Sequence, residues 1–320
     1  MDENQISKLA KTMDAKIIGT HISWVLLTDD FAYKIKKPVK FSFLDFSTIE
    51  KRKHLCNEEV RLNSRLAPDV YLGVVDILDN GEKINLDEGS IVGHAIKMKR
   101  LPEDKRMDKL LQKGEVSEED VQQLAQIIAD FHGKVDVITD PKYNSDKVVL
   151  EQIMDLGNFK NTIEDACGLG DKVDFVLGKS EEFIKNNGGL FLRRQTDGRI
   201  RDCHGDLHSA NIFLNEKPVI FDCIEFSEDF RYVDVASEVA FMAMDLDYCG
   251  YPEFSSLFVS EFLRNSNDPD LMEVLNLYKC YRANVRAKIA AIDYSNSKSD
   301  DAREKIRKYM GLAEEYAANL

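Results

Sequence analysis

The stretch Arg201–Glu225, RDCHGDLHSANIFLNEKPVIFDCIE, restricts this chain more than any other. It carries His204, Gly205 and Asp206, then Asn211 five residues after that Asp, and it closes on Asp222 before Glu225. Ile212–Leu214 and Val219–Phe221 are short apolar runs joined by Asn215-Glu216-Lys217-Pro218, which predicts a tight hairpin. Such a return sets Asp222 beside Asn211, so that two oxygen donors face one hard cation while Asp206 stands a few ångströms apart.

The spacing His-x-Asp-x4-Asn, followed by an Asp on the far strand of a hairpin, is the layout of phosphoryl transfer. A base sits on a loop, and an Asn and an Asp hold magnesium. An Asx-rich surface turn accounts for the first half of this pattern but not for Asp222. A zinc site built from Cys203, His204, His208 and Cys223 is the weaker reading of the same residues.

Phosphoryl transfer also needs a cation for the nucleotide phosphates. In Phe31-Ala32-Tyr33-Lys34-Ile35-Lys36 a lysine lies inside an apolar strand rather than on a loop, and Lys34 is preferred over Lys36. No Gly-rich loop precedes it; Gly19–Ser23 has one glycine, so the Thr20 or Ser23 hydroxyl is expected to help cradle phosphate. Ser47-x-x-Glu50 has the form of a capping box and opens a helix predicted over residues 48–66. Within that helix Glu58, four residues before Leu62 and eight before Leu66, is expected to hold the lysine, with Glu59 the alternative. Strands are predicted over residues 70–78 and 90–98, after which alternation ends at Lys99-Arg100-Leu101-Pro102. Backbone groups of Met98–Arg100 are therefore expected to meet adenine. Beyond this point the chain reads as helices. Gly178-Lys179-Ser180 imitates the end of a phosphate-binding loop, but residue 173 is Val where that motif needs Gly.

With 320 residues there is room for two lobes. A net charge of −14 argues against sequence-independent nucleic-acid or anionic-membrane binding. Six cysteines without C-x-x-C pairing suit a reducing compartment. No long apolar run or leader character is present, so a cytoplasmic location is expected.

HGDLHSAN followed by VIFDCIEF resembles the catalytic loop and metal-binding aspartate of the aminoglycoside phosphotransferase-like kinases. AYKIKKPVKFSFLDFSTIEKRKHLCNEEVRLNSRLAP, FRYVDVASEVAFMAMDLD and YKCYRANVRAKI resemble a narrower subgroup, often fused to a C-terminal P-loop ATPase domain. The resemblance covers about residues 19–292. It implies a two-lobed, protein-kinase-like α+β fold, with a small β-rich nucleotide-binding lobe over 1–99 and a larger, mainly helical catalytic and substrate lobe over 100–320. It implies Asp206 as catalytic base, Asn211 and Asp222 on Mg²⁺, Lys34 on the phosphates of ATP with Glu58 positioning it, and Asp234 as a buried support for the catalytic loop. Without the fused domain, a P-loop ATPase partner is expected as a separate chain. Only eleven residues separate Asp222 from Asp234, and Asp-Cys-Ile stands where protein kinases have Asp-Phe-Gly. Both departures favour a small-molecule hydroxyl as acceptor, such as that of a sugar, amino sugar or amino alcohol. The rival expectations are a nucleotide-binding regulatory module without turnover and a kinase of protein substrates.

Overall fold

The computed structural model describes residues 1–41, 44–143 and 145–320. The chain forms two compact units: Met1–Arg106 with Asn211–Asn215 and Val219–Glu228, and Met107–Ala210 with Glu216–Pro218 and Asp229–Leu320.

In chain order the first unit begins α1 (Glu3–Thr12), β1 (Lys16–Gly19), β2 (Ser23–Leu27), β3 (Phe31–Lys36), β4 (Lys40–Phe41) and β5 (Leu44–Asp45). It continues through α2 (Ile49–Asn63), β6 (Tyr71–Asp79), β7 (Ile84–Asn85) and β8 (Ser90–Lys99). Six of these strands build one antiparallel sheet in the order β1-β2-β3-β8-β6-β7. Both faces of β3 are covered, and its side chains alternate between them. Tyr33 and Ile35 join Ile6, Leu9, Trp24 and Leu26 in a cluster that buries the apolar stripe of α1. Ala32 joins Cys56, Tyr71, Ile96 and Met98 on the α2 side, where Val219 and Phe221 also pack. Lys34 and Lys36 share the parity of Ala32, so both point toward α2.

Helix α2 departs from the sequence expectation at both ends. Its N-cap is Thr48, whose hydroxyl accepts from the Lys51 N–H, because Ser47 turns back to Asp45 Oδ1 through both its N–H and its hydroxyl. The helix stops at Asn63, three residues short of the expected end.

Downstream come α3 (Met107–Lys113), α4 (Glu118–Lys134), α5 (Asp146–Met154), α6 (Lys160–Cys167), α7 (Gly170–Asn186) and α8 (Gly188–Thr196). Then follow β9 (Ile200–Asp202), β10 (Ile212–Leu214), β11 (Pro218–Ile220), α9 (Glu228–Arg231) and β12 (Tyr232–Asp234). The chain closes with α10 (Val235–Tyr248), α11 (Pro252–Ser266), α12 (Leu271–Ser297) and α13 (Asp300–Ala318). Between α5 and α6 lies a 3-10 segment at Asp155–Phe159.

The second unit is organised on α10, in which every residue from Val235 to Leu246 is buried. A helix rich in Val, Ala, Phe and Met on all sides has no face to give to water and takes the centre. β9 and β12 pair antiparallel, Val233 opposite Arg201, and so fix the approach to His204 and the start of α10 together. Beneath them Arg194, 1% exposed, donates two hydrogen bonds to Asp234 (2.6 and 2.7 Å) and two to Asp268 (2.9 and 2.8 Å). Bidentate geometry of this kind is what a buried guanidinium needs to offset its desolvation. No helix among the described residues is long and apolar enough to cross a membrane.

Candidate active site

In the first unit, Lys34 Nζ donates to Glu59 Oε1 at 2.7 Å and to Asp222 Oδ1 at 2.5 Å. Lys36 Nζ donates to the other oxygen of Glu59 at 2.5 Å and also to Glu225. The glutamate on the strand lysine is therefore Glu59, not Glu58, which pairs along the outside of α2 with Arg61 at 2.7 Å. The helix buries Cys56, Glu59, Leu62 and Asn63, a stripe of i, i+3, i+7 spacing that excludes Glu58.

This cluster is almost entirely desolvated: the side chains of Glu59, Lys36 and Glu225 are 0%, 1% and 4% exposed. Burial acts to neutralise Lys34, but the Asp222 and Glu59 carboxylates outweigh it and hold the ammonium well above its ordinary range. Lys36 is also held above it, against burial, by Glu225 and Glu59. Burial acts to raise Glu59, and its two lysines bring it below the usual carboxylate range. For Glu225 burial prevails and the carboxyl is raised.

The segment after the hairpin is fastened at several points. Phe221 N–H donates to Asn211 O (3.1 Å), closing the hairpin so that Asp222 follows directly beside Asn211. Asp222 N–H donates to the Tyr71 hydroxyl (3.1 Å), and Cys223 N–H donates to Asn63 Oδ1 (2.8 Å). Asp222 itself has φ of 64°, the left-handed region that a non-glycine residue adopts at a cost. Its side chain is 40% exposed, and Oδ2 takes no partner among the described residues. An exposed carboxylate oxygen, together with the amide oxygen that Asn211 offers at the start of the same hairpin, is a donor set whose chemistry fits Mg²⁺.

Ser23 is fully buried, with its N–H bonded to Thr20 Oγ1 and its hydroxyl without a partner among the described residues. The Thr20 hydroxyl is used inside the same turn, donating to Ser23 O at 3.2 Å. Met98 lies within the sheet opposite Ala32 and Tyr71. The N–H groups of Lys99 and Arg100 donate to Val70 O and Asp30 O, both at 2.9 Å. The Arg100 N–H is thus committed to closing the corner of the sheet rather than turned toward a base.

In the second unit the loop His204–Ser209 is held by two acids of α10. Glu238 Oε1 accepts from the N–H groups of His204 (2.7 Å) and Gly205 (2.8 Å), and its Oε2 lies 2.5 Å from His132 Nε2. Asp245 Oδ2 accepts from the Ser209 N–H at 2.8 Å. Burial would raise Glu238, but the bond from His132 and the loop amides bring it down to about 2. Gly205 has φ of 89°, which only glycine adopts freely, and Arg282 Nη1 donates to its carbonyl at 3.3 Å. Asp234 caps α10 through the Ala236 N–H and takes Arg194, while the bonds to the backbone of the loop come from Glu238, one turn further along.

Asp206 rises from this loop with 36% of its side chain exposed. His208 Nε2 lies 3.4 Å from Asp206 Oδ2. Burial would raise the Asp206 carboxyl, but His208, Arg286 and His204 hold it well below its usual range. Arg286 was not picked out as a site residue from the sequence, and His208 entered only through the weaker zinc reading. The one signal for Glu238 is an acid four residues after Asp234 in an otherwise apolar helix.

A β-sheet unit followed by a helical unit, with an Asp-x4-Asn loop and a hairpin Asp, defines the fold class: the chain carries the two-lobed fold of the aminoglycoside phosphotransferase-like kinases. A choline kinase from Cryptosporidium parvum is 12% identical at a TM-score of 0.58, over 98% of this chain and 92% of that one. A glucosamine kinase in complex with glucosamine, ADP and inorganic phosphate is 12% identical at 0.54, over 95% and 75%. An ADP-bound aminoglycoside phosphotransferase is 12% identical at 0.53, over 99% of both chains. In sequence the chain is 30% identical over 291 residues to uncharacterised proteins of Mycobacterium tuberculosis and Mycobacterium bovis. It aligns over 90% of its own length and spans 57% of theirs. No protein-family model matches it.

Proposed function

We propose that this chain is a phosphotransferase that moves the γ-phosphoryl group of ATP, with Mg²⁺, to a hydroxyl of a small molecule such as a sugar or amino alcohol. The observation that carries this reading is the Lys34 ammonium, fixed by Glu59 and Asp222 at 2.7 and 2.5 Å beside a carboxylate oxygen that has no partner among the described residues. Lys34 supplies a fixed positive charge for nucleotide phosphates. Asn211 and Asp222 are the residues that would hold Mg²⁺, which supplies charge neutralisation on the phosphoryl oxygens. Asp206 orients the acceptor hydroxyl and takes its proton as the oxygen bonds to phosphorus and ADP leaves. Residues 223–234 are taken up in part by α9 and β12, which leaves little chain for the long segment that docks a protein substrate.

Calorimetry with ATP, with and without Mg²⁺, tests the metal assignment in wild type and Asp222→Ala. Wild-type affinity is expected to depend on Mg²⁺ and that dependence to disappear in the variant. Asp206→Asn is expected to keep ATP affinity while ATP turnover falls by about 10²–10⁴-fold, the usual range for a general base. Binding indifferent to Mg²⁺, or undiminished turnover in Asp206→Asn, would return the chain to the regulatory-module reading.

A further inference from the structure

Several arginines of the second unit are tied down by the protein itself. Arg194 is held by two aspartates, and Arg231 by Asp202. Arg282 is bonded to Ser237 and to the carbonyl of Gly205. Arg286 has one protein hydrogen bond among the described residues, from Nε to the Tyr309 hydroxyl at 3.3 Å, and no carboxylate in ion-pair contact. Its two terminal nitrogens take no acceptor among the described residues, and the side chain is partly withdrawn from water. Donors left open on a partly buried guanidinium make it a candidate for a ligand contact.

Its position is set by the helix. Arg282 and Arg286 are four residues apart on α12 and so share a face. Arg282 on that face touches the carbonyl of Gly205, the residue before Asp206, and Arg286 stands one turn further along. The Tyr309 ring, 5.7 Å from the guanidinium carbon, is stacked at 4.2 Å on Tyr248, so the fork is held from behind by two packed rings. The charge of Arg286 is felt at both Asp206 and Asp245.

We propose that Arg286 docks an anionic group of the acceptor, a phosphate or carboxylate carried on the hydroxyl compound, and thereby presents the hydroxyl to Asp206. A planar fork with two unoccupied donor nitrogens matches the oxygens of such a group bidentately. Neutral and amine-bearing alcohols leave those donors bare. In the transfer, the acceptor oxygen bonds to the γ-phosphorus, the bond to the β-phosphate oxygen breaks, and the hydroxyl proton passes to Asp206. Arg286 takes no part in that exchange and sets which acceptor is held. The inference rests on the phosphotransferase reading for its chemistry, but the anion site is measurable by itself.

Sulfate is the probe, titrated at constant ionic strength into protein saturated with a non-hydrolysable ATP analogue and Mg²⁺, so that the phosphate positions of the nucleotide are filled. Saturable binding is expected in wild type, at least tenfold weaker in Arg286→Met and unchanged in Arg307→Met. Arg307 is the control because it lines a separate cavity of about 280 Å³ beside Tyr248. No saturable binding in wild type, equal binding in Arg286→Met, or loss in Arg307→Met would each overturn the proposal. A measurement on the unaltered protein covers the case in which Arg286→Met does not fold. Phenylglyoxal labelling, mapped by mass spectrometry, is expected to slow at Arg286 when sulfate is present, and equal labelling overturns the assignment. If the ATP analogue fails to bind, the phosphotransferase reading falls, while sulfate protection of Arg286 without nucleotide still decides the anion site.

Discussion

Replacing Glu238 by Gln removes one charge from the centre of the second unit and almost no volume. The native carboxylate accepts from two loop amides and sits against His132, with none of its side chain exposed. Gln is the uncharged counterpart of a protonated Glu, so the cost of the substitution can be worked from the pH linkage of the group. With the folded carboxyl at about 2 and the unfolded one at the ordinary value of 4.5, the difference corresponds to about 3 kcal/mol of stability. The folded value is the lower of the two, so this contribution is complete above the unfolded value and is lost as pH falls from there toward 2. Glu238→Gln should therefore be less stable than wild type by about 3 kcal/mol at neutral pH, and the two should converge as the solution is acidified. Urea unfolding followed by far-UV circular dichroism is the assay, because the helices dominate that signal. Tryptophan fluorescence would miss the transition: Trp24, the single tryptophan, lies in β2 of the other unit. Equal stability at neutral pH, or a gap that does not narrow on acidification, would refute the role assigned to this charge.

Glu59→Gln should weaken ATP binding while Glu58→Gln leaves it near wild type. In a double-mutant cycle Lys34→Met should add little to Glu59→Gln, since contacting partners act as a unit, whereas strictly additive losses measured by calorimetry would contradict the pairing. His208 should be visible in a pH profile. Burial lowers its pKa, but the Asp206 carboxylate more than offsets that and raises it above the ordinary value. The cation therefore stabilises the fold below about 6.5 and loses that role as pH climbs through the raised value. Its deprotonation frees Asp206 to accept a proton, so turnover should rise along that limb, and His208→Asn should move the limb to lower pH. An unmoved limb counts against the contact.

The loop from His204 to Asn211 and the hairpin after it were legible because their residues are contiguous and their spacing is set by backbone geometry. β2 and β3 begin and end where the alternation places them, since a sheet buried on two faces tolerates few substitutes. The strand lysine was legible as well, whereas its glutamate was misassigned for a physical reason. The phase of α2 was read from Leu62 and Leu66, but Leu66 lies beyond the end of the helix, and the buried face is built on polar Glu59 and Asn63. A helix that buries its charge carries little hydrophobic periodicity to read. Arg194 was missed because its partners lie far along the chain, at Asp234 and Asp268. The corner bond of the Arg100 N–H to Asp30 depends on tertiary register and could not be read in advance.

The hairpin that belongs with the sheet unit is encoded more than a hundred residues after the rest of it. As the chain leaves the ribosome, residues 1–106 emerge with Lys34 and Lys36 facing one buried acid, Glu59, and with the surface that receives Val219 and Phe221 still bare. Two cations against one anion in a desolvated pocket is an unstable arrangement. It is relieved only when Asp222 and Glu225 arrive, after most of the chain has been made. The sheet unit is therefore completed late although its sequence comes first, and a fragment cut at residue 106 lacks the carboxylates that complete its own core.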